Sequence, residues 1–260
     1  MKLQHYVVIV KNLVWSDLTV FKQNIVSRII DITIRVVLST IVAAYVMPFF
    51  GLTNFGLFQF GGLIAAVGLF ELYGSVVEFV SDLEGDRVIN YNLTLPIPSI
   101  FALISKSTYY FIVYTTLTCI MLPIGYVALW GQWELAQTCC YKLILAIVVQ
   151  SIFYACYVLW AASLINTMAQ LGKIWARFIF PMWFMGGFQF SWLSLYKAMP
   201  LIAYINAINP MIYITESIRV ALLGQTGYVN FWLCLVVVLC FSLFCFAMGF
   251  RNLKKRLDFV

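Results

Sequence analysis

Apolar residues recur along this chain in runs of membrane-spanning length, separated by short polar or glycine- and proline-marked breaks. The runs fall at 29–50, 57–80, 107–129, 143–166, 174–193 and 229–250, each close to the ~20 residues that a bilayer core requires of a helix. Ahead of the first run the pattern changes. Over 11–28, Val14, Leu18, Phe21, Ile25 and Ile29 repeat at helical spacing, with Ser16, Gln23 and Ser27 on the other side. Lys11 and Lys22 flank the apolar stripe, where their stems reach lipid phosphates, so this segment is predicted to lie in the membrane interface. The expected fold is therefore an all-α integral membrane domain over 1–260: an N-terminal interfacial helix, then six transmembrane helices, then a basic tail at 251–260.

Two stretches break the apolar rhythm. "SDLEGDRVINYNLTLPIP", residues 81–98, sets Asp82, Glu84, Asp86 and Arg87 between the second and third spans. Asp82 can cap a short helix starting near Leu83, with acids in its first turn, and Pro96 and Pro98 end it before the next span. A helix that meets a partner and a plain solvated loop both fit this composition. The second stretch, "SLYKAMPLIAYINAINPMIYITESIRVALLGQTGY", lies between the fifth and sixth spans and is too apolar for a free loop. Asn209 as cap, Pro210 in the first turn and Gly224 at the end predict a helix over 210–223. Too short to span, it is expected to re-enter the outer leaflet, with Glu216 and Arg219 paired on one face.

Composition excludes a soluble globular protein: 63% of residues are hydrophobic, 10% are charged, and the mean hydropathy is +0.96. The net charge of +6 is spread rather than clustered, so it reports orientation in a bilayer and not nucleic-acid binding. Lys2, Lys11, Lys22, Arg28, Arg87, Lys106, Lys173, Arg177 and the basic tail fall on one side, against Lys142, Lys197 and Arg219 on the other. By the positive-inside rule both termini are expected to be cytoplasmic. The cysteines have no CxxC spacing and read as small hydrophobes, with vicinal Cys139–Cys140 as a redox alternative. A lone His5 argues no metal site.

Charges inside spans are costly, at least ~2.5 kcal/mol each, so each needs a partner or a wet cavity. Glu71 and Glu78 are seven apart and share a face. With Arg35 they are expected to form a polar cluster near the cytoplasmic gate, or a purely structural pairing; Asp31 can also pair with Arg35. Gly61/Ala65 and Gly62/Ala66 make small-residue rows for close helix packing. The aromatic stretches "WFMGGFQFSW" and "YYFIVY" read as core or interfacial belt, with stacking on a ring-shaped cargo as the alternative.

"NPMIYITESIRVALLG", residues 209–224, resembles a motif of the membrane subunits of ABC exporters of the type V fold, in which Asn209, Pro210, Tyr213, Glu216, Arg219 and Gly224 fill the family positions. That group includes O-antigen and teichoic acid permeases, daunorubicin-type drug exporters and the ABCG membrane half. The segment from Ser81 to Tyr110 is similar to the family's coupling helix, with Glu84, Arg87, Leu95, Pro96 and Lys106 in place; Val88–Ile89–Asn90 stands where the family has Gly-Thr. The resemblance implies a six-span permease, working as a homodimer, whose residues Asp82, Glu84, Asp86 and Arg87 press on a separate cytoplasmic ABC ATPase subunit. It implies a glutamate of span two that couples spans to motor, and a bacterial inner (plasma) membrane location. The implied cargo is an amphipathic or lipophilic substrate, with lipid-linked polysaccharide as the alternative. The chain has no phosphate loop of its own, the nearest stretch being "LGKIW" at 171–175, so ATP and Mg would be bound by the partner and no catalytic residue is expected here. An ATPase-independent secondary transporter would call for inverted repeats, and a membrane-embedded enzyme for a His/Asp/Glu cluster at one face.

Overall fold

The computed structural model describes residues 2–52, 55–84, 98–133, 135–165 and 167–257, and every regular element among them is helical. The chain opens with α1, Lys2–Ile41, which runs on through a π-helical turn at Val42–Val46 and a 3-10 turn at Met47–Phe50. It ends at Gly51, whose φ of 85° is open to glycine. No boundary falls at 28/29: residues 2–41 contain neither Gly nor Pro, so nothing interrupts the backbone ladder. The stripe expected to face lipid is also used differently. Val14 and Phe21 are buried, and Leu18 and Ile25 pack on the protein core, because α1 lies along α3. The separate interfacial helix is thus corrected to the first half of one 40-residue helix docked on its neighbour.

The long helices that follow are α2 (Phe55–Glu84), α3 (Ser99–Ala128) and α4 (Cys140–Ser163), with α10 (Phe231–Leu257) closing the chain. α2 is the central one: from Gly61 to Leu69 every residue is buried, among α1, α3, α4 and the later helix α9. The aromatic run on α3 belongs to this core, Tyr109, Tyr110 and Tyr114 all being buried, with Tyr110 Oη donating to the Ser75 carbonyl. That is the packing alternative of the two open for it. Five helices among the described residues are long and apolar enough to cross a membrane.

The predicted fifth span, 174–193, is not one helix. It consists of α5 (Leu171–Ile174), a π-helical turn (Trp175–Ile179) and α6 (Phe180–Phe184), after which the chain turns through Gly187 at φ 75°. At 1.5 Å per residue the helical part covers only about 21 Å. The chain then makes α7 (Trp192–Ala198), α8 (Pro200–Asn206) and α9 (Pro210–Leu223).

This broken stretch nevertheless carries the chain from one end of the bundle to the other. Lys142, at the start of α4, lies 5.6 Å from the ring centre of Phe231 at the start of α10. At their other ends Asn252 donates to Ser163 Oγ at 3.4 Å, and the Gly249 backbone lies against that of Trp160 with no room for a Cβ. α4 and α10 are therefore parallel. α1 and α3 are parallel by the same reasoning, from Asp17–Lys106 at one end and Tyr45–Ala128 at the other. Since α3 and α4 are antiparallel, Gln150 meeting Thr118 and Tyr154 meeting Tyr114, the starts of α1 and α3 and the ends of α2, α4 and α10 gather at one end. We call this the terminal end, and the opposite one the far end.

Candidate functional site

Two sets of buried charges stand out, one at each end. At the terminal end, Lys106 is only 5% exposed, and it sits in the second turn of α3. Its ammonium donates to Asp82 Oδ2 at 3.0 Å and to Asp17 Oδ1 at 3.2 Å. Asp82 is therefore inside the end of α2 and salt-bridged, rather than the cap of a new helix, because α2 continues through Glu84. Asp17 comes from α1. One lysine thus fastens the last turns of α2, the first turns of α3 and the flank of α1. These are the two stems of residues 85–97 plus the N-terminal helix. Asp86 and Arg87, with Leu95 and Pro96, lie outside the described residues.

One to three turns deeper, Glu71 and Glu78 do face one cation, and it is Arg28. The distances are 3.6 Å to Glu71 and 4.0 Å to Glu78. Tyr109 Oη also donates to Glu78 Oε1 at 3.4 Å. Arg35, two turns further along α1, is not in this cluster: its guanidinium lies 4.6 Å from the centre of the Phe70 ring, and its Nη1 is buried with no partner among the described residues. Nor does Asp31 make an ion pair with it among the described residues. The register between α1 and α2 selects Arg28. Glu71 and Glu78 are joined as expected; their cation is different.

At the far end, α9 has the bounds its caps predict. Asn209 Oδ1 accepts from the Met211 N–H at 3.0 Å, Pro210 opens the helix, and Gly224 closes it at φ 93°. Asn209 also donates to the Met182 carbonyl, and Tyr213 Oη to that of Ala207. The expected Glu216–Arg219 pair does not form within 4.0 Å among the described residues. Each instead holds backbone. Arg219, with no exposed surface, donates to the carbonyls of Gly187 at 2.6 Å, Phe190 at 2.8 Å, Phe188 at 2.9 Å and Phe58 at 3.2 Å. Its guanidinium also stacks on the Phe58 ring, 3.5 Å from the centre. Glu216 accepts from the N–H of Trp192 at 2.8 Å and of Val229 at 2.9 Å. Burial pushes the Glu216 carboxyl up, opposed by those two N–H groups and then by Arg219. Burial likewise lowers Arg219, to about 10. The pair are surrogate caps for the loop after α6 and the turn before α10.

The small residues of α2 now have a use within the chain. A Cβ on Gly61 would meet Arg219 Cγ at 3.1 Å, and one on Gly62 would meet the Phe188 carbonyl at 2.9 Å. The stretch "WFMGGFQFSW", read from sequence for its rings, is chiefly a ring of carbonyls around a guanidinium. Its Gly-Gly turn beside a lone arginine on a short apolar helix was the available signal.

Among the described residues no group of three His, Cys, Asp or Glu side chains could hold a metal, and no cysteine is in a disulfide. No family model matches the chain, and neither a curated protein nor a solved structure does. What fold and composition define is a class: an all-α, multi-pass integral membrane protein.

Proposed function

We propose that this chain is the membrane subunit of an ATP-driven exporter, built as a homodimer and powered by a separate cytoplasmic ABC ATPase. The supporting observation is the lysine fastening at the terminal end. A segment that receives force from a motor must pass it to the spans without slack. Residues 85–97 leave from α2 and return to α3, and Lys106 ties those two stems to each other and to α1 through two short ion pairs. A displacement of 85–97 would move three helices as one unit. Such a lever fits alternation of the spans between two states. Glu84, Asp86 and Arg87 supply the contact surface for the motor, Asp82 being held by Lys106, and the Arg28–Glu71–Glu78 cluster lies above the lever as the gate.

In this reading both ends of the chain are cytoplasmic, in agreement with the excess of Lys and Arg there, and the broken stretch 171–208 serves as the sixth crossing. The cargo is amphipathic or lipophilic. The test is purification of the tagged chain from its native membrane, followed by ATP hydrolysis and cargo movement in proteoliposomes. A bound ATPase whose hydrolysis drives movement supports the proposal. Movement at full rate with no nucleotide-hydrolysing partner present rejects it.

A further inference from the structure

A cavity of about 610 Å³ opens at the far end between the last turns of α1, the start of α2 and the loop after α6. Leu38, Val42 and Phe55 give it apolar walls, and Ser39, Gln59 and Gln189 are its polar members. Its size falls within the ~300–1,000 Å³ range of small-molecule sites. One wall is the π-helical turn Val42–Val46, a backbone form that recurs at functional sites.

Two observations say what would fit. First, Gln59 is only 7% exposed, and its Oε1 is buried with no hydrogen-bond partner among the described residues. A buried, unmatched amide acceptor is unfavourable, and because Gln59 lines the cavity, a turn of its side chain would bring that acceptor to a ligand hydroxyl or N–H. Second, none of the residues lining the cavity is charged. The sequence has no charged residue from Ser39 through Gln59, nor from Phe178 through Tyr196 around Gln189. The nearest cation on α1, Arg35, sits one turn before Ser39, with its guanidinium on the Phe70 ring. Arg219 holds the carbonyls of Phe58, Phe188 and Phe190 beside Gln59 and Gln189, with no exposed surface. An ammonium in the cavity would lose water next to that positive charge, and a carboxylate would find the guanidinium already spent on backbone.

We propose that this cavity binds a neutral amphipathic molecule, an apolar body carrying a hydroxyl or amide that donates to Gln59. Its role as a cargo site rests on the exporter reading above; the binding itself does not. Leu38 and Val42 are exposed on the outside of the bundle, so the molecule would enter from the bilayer rather than from water.

The experiment uses the full chain, with any subunit that copurifies, in lipid nanodiscs. Three photoreactive probes share one long alkyl chain bearing a diazirine and end in an alcohol, a carboxylate or a trimethylammonium group. After irradiation the labelled peptides are located by mass spectrometry. The wholly apolar groove at Val236–Phe244 of α10 serves as the internal reference for non-specific lipid contact. The alcohol is expected to label residues 38–59 preferentially over that groove, and the two charged probes are not. Gln59→Leu is expected to lower this labelling about fivefold, the worth of one hydrogen bond, with thermal unfolding unchanged or raised.

Equal labelling of both regions overturns the proposal. So does preference for a charged probe, or undiminished labelling of folded Gln59→Leu. Should that variant fail to fold, the three-probe comparison on the unsubstituted chain decides alone. Specific labelling without ATP-driven transport would uphold the site and reject its transport role. ATP-driven transport with unspecific labelling would reject the site and leave the exporter reading intact.

Discussion

The two ends of the bundle treat buried charge in opposite ways. At the terminal end, charge meets charge across side chains: Lys106 with Asp17 and Asp82, Arg28 with Glu71 and Glu78, at 3.0 to 4.0 Å and with the carboxylates still partly exposed. At the far end Arg219 and Glu216 make no ion pair within 4.0 Å and bind backbone instead, four carbonyls and two N–H groups, with neither side chain open to solvent. Side-chain ion pairs can exchange partners as helices slide. Backbone groups cannot leave without unfolding a loop. The far end is built as a fixed clamp; at the terminal end the longer Arg28 contacts, at 3.6 and 4.0 Å, are the ones whose partners can change, beside the tighter Lys106 fastening.

That contrast breaks most visibly at Arg219. Arg219→Met should destabilise the chain by about 3–5 kcal/mol, since it takes the donor from the loop carbonyls of Gly187, Phe188 and Phe190. Arg219→Lys should recover little of this, because one ammonium cannot reproduce the planar fork. Thermal unfolding in detergent measures both. Next, Gly62→Ala should cost about 1–3 kcal/mol in the same assay, as its Cβ would press on the Phe188 carbonyl that Arg219 holds.

Lys106→Met should cost about 2 kcal/mol. Two carboxylates then face each other unbridged, an effect reduced by their partial exposure. The informative readout is coupling: ATP hydrolysis by the complex should persist while cargo movement falls, as the lever loses its fastening. Arg28→Ala should change stability least, by about 1 kcal/mol or less, given its long and partly exposed contacts. Arg28→Ala and Glu71→Gln should each lower transport, and the double substitution should lower it no further than the worse single one. Additive losses would mean the two do not act as a pair.

Local signals in the sequence were reliable where the structure they describe is local. Asn209, Pro210 and Gly224 mark the ends of α9 because caps and first-turn residues act within a few positions. The failures share a cause. The stripe Val14–Ile29 reads the same whether it meets lipid or α3, since period reports an apolar face and not its partner. The spacing of Glu216 and Arg219 puts them on one face, but loops brought in from elsewhere in the chain offered better partners. Arg28 and Arg35 are seven apart and equivalent in phase; only the α1–α2 register separates them. The break in 174–193 was signalled by Gly186–Gly187 and Pro181, which an apolar window averages away.

The central claim is that residues 85–97 and their fastened stems deliver force from an ATP-hydrolysing partner to the spans. Its most direct test is cargo movement in proteoliposomes holding the purified complex, with and without ATP, for the unsubstituted chain and Lys106→Met. The account predicts ATP-dependent movement in the first, and hydrolysis largely uncoupled from movement in the second. Cargo that moves equally well without ATP, or at an unchanged rate per ATP after Lys106→Met, would contradict it.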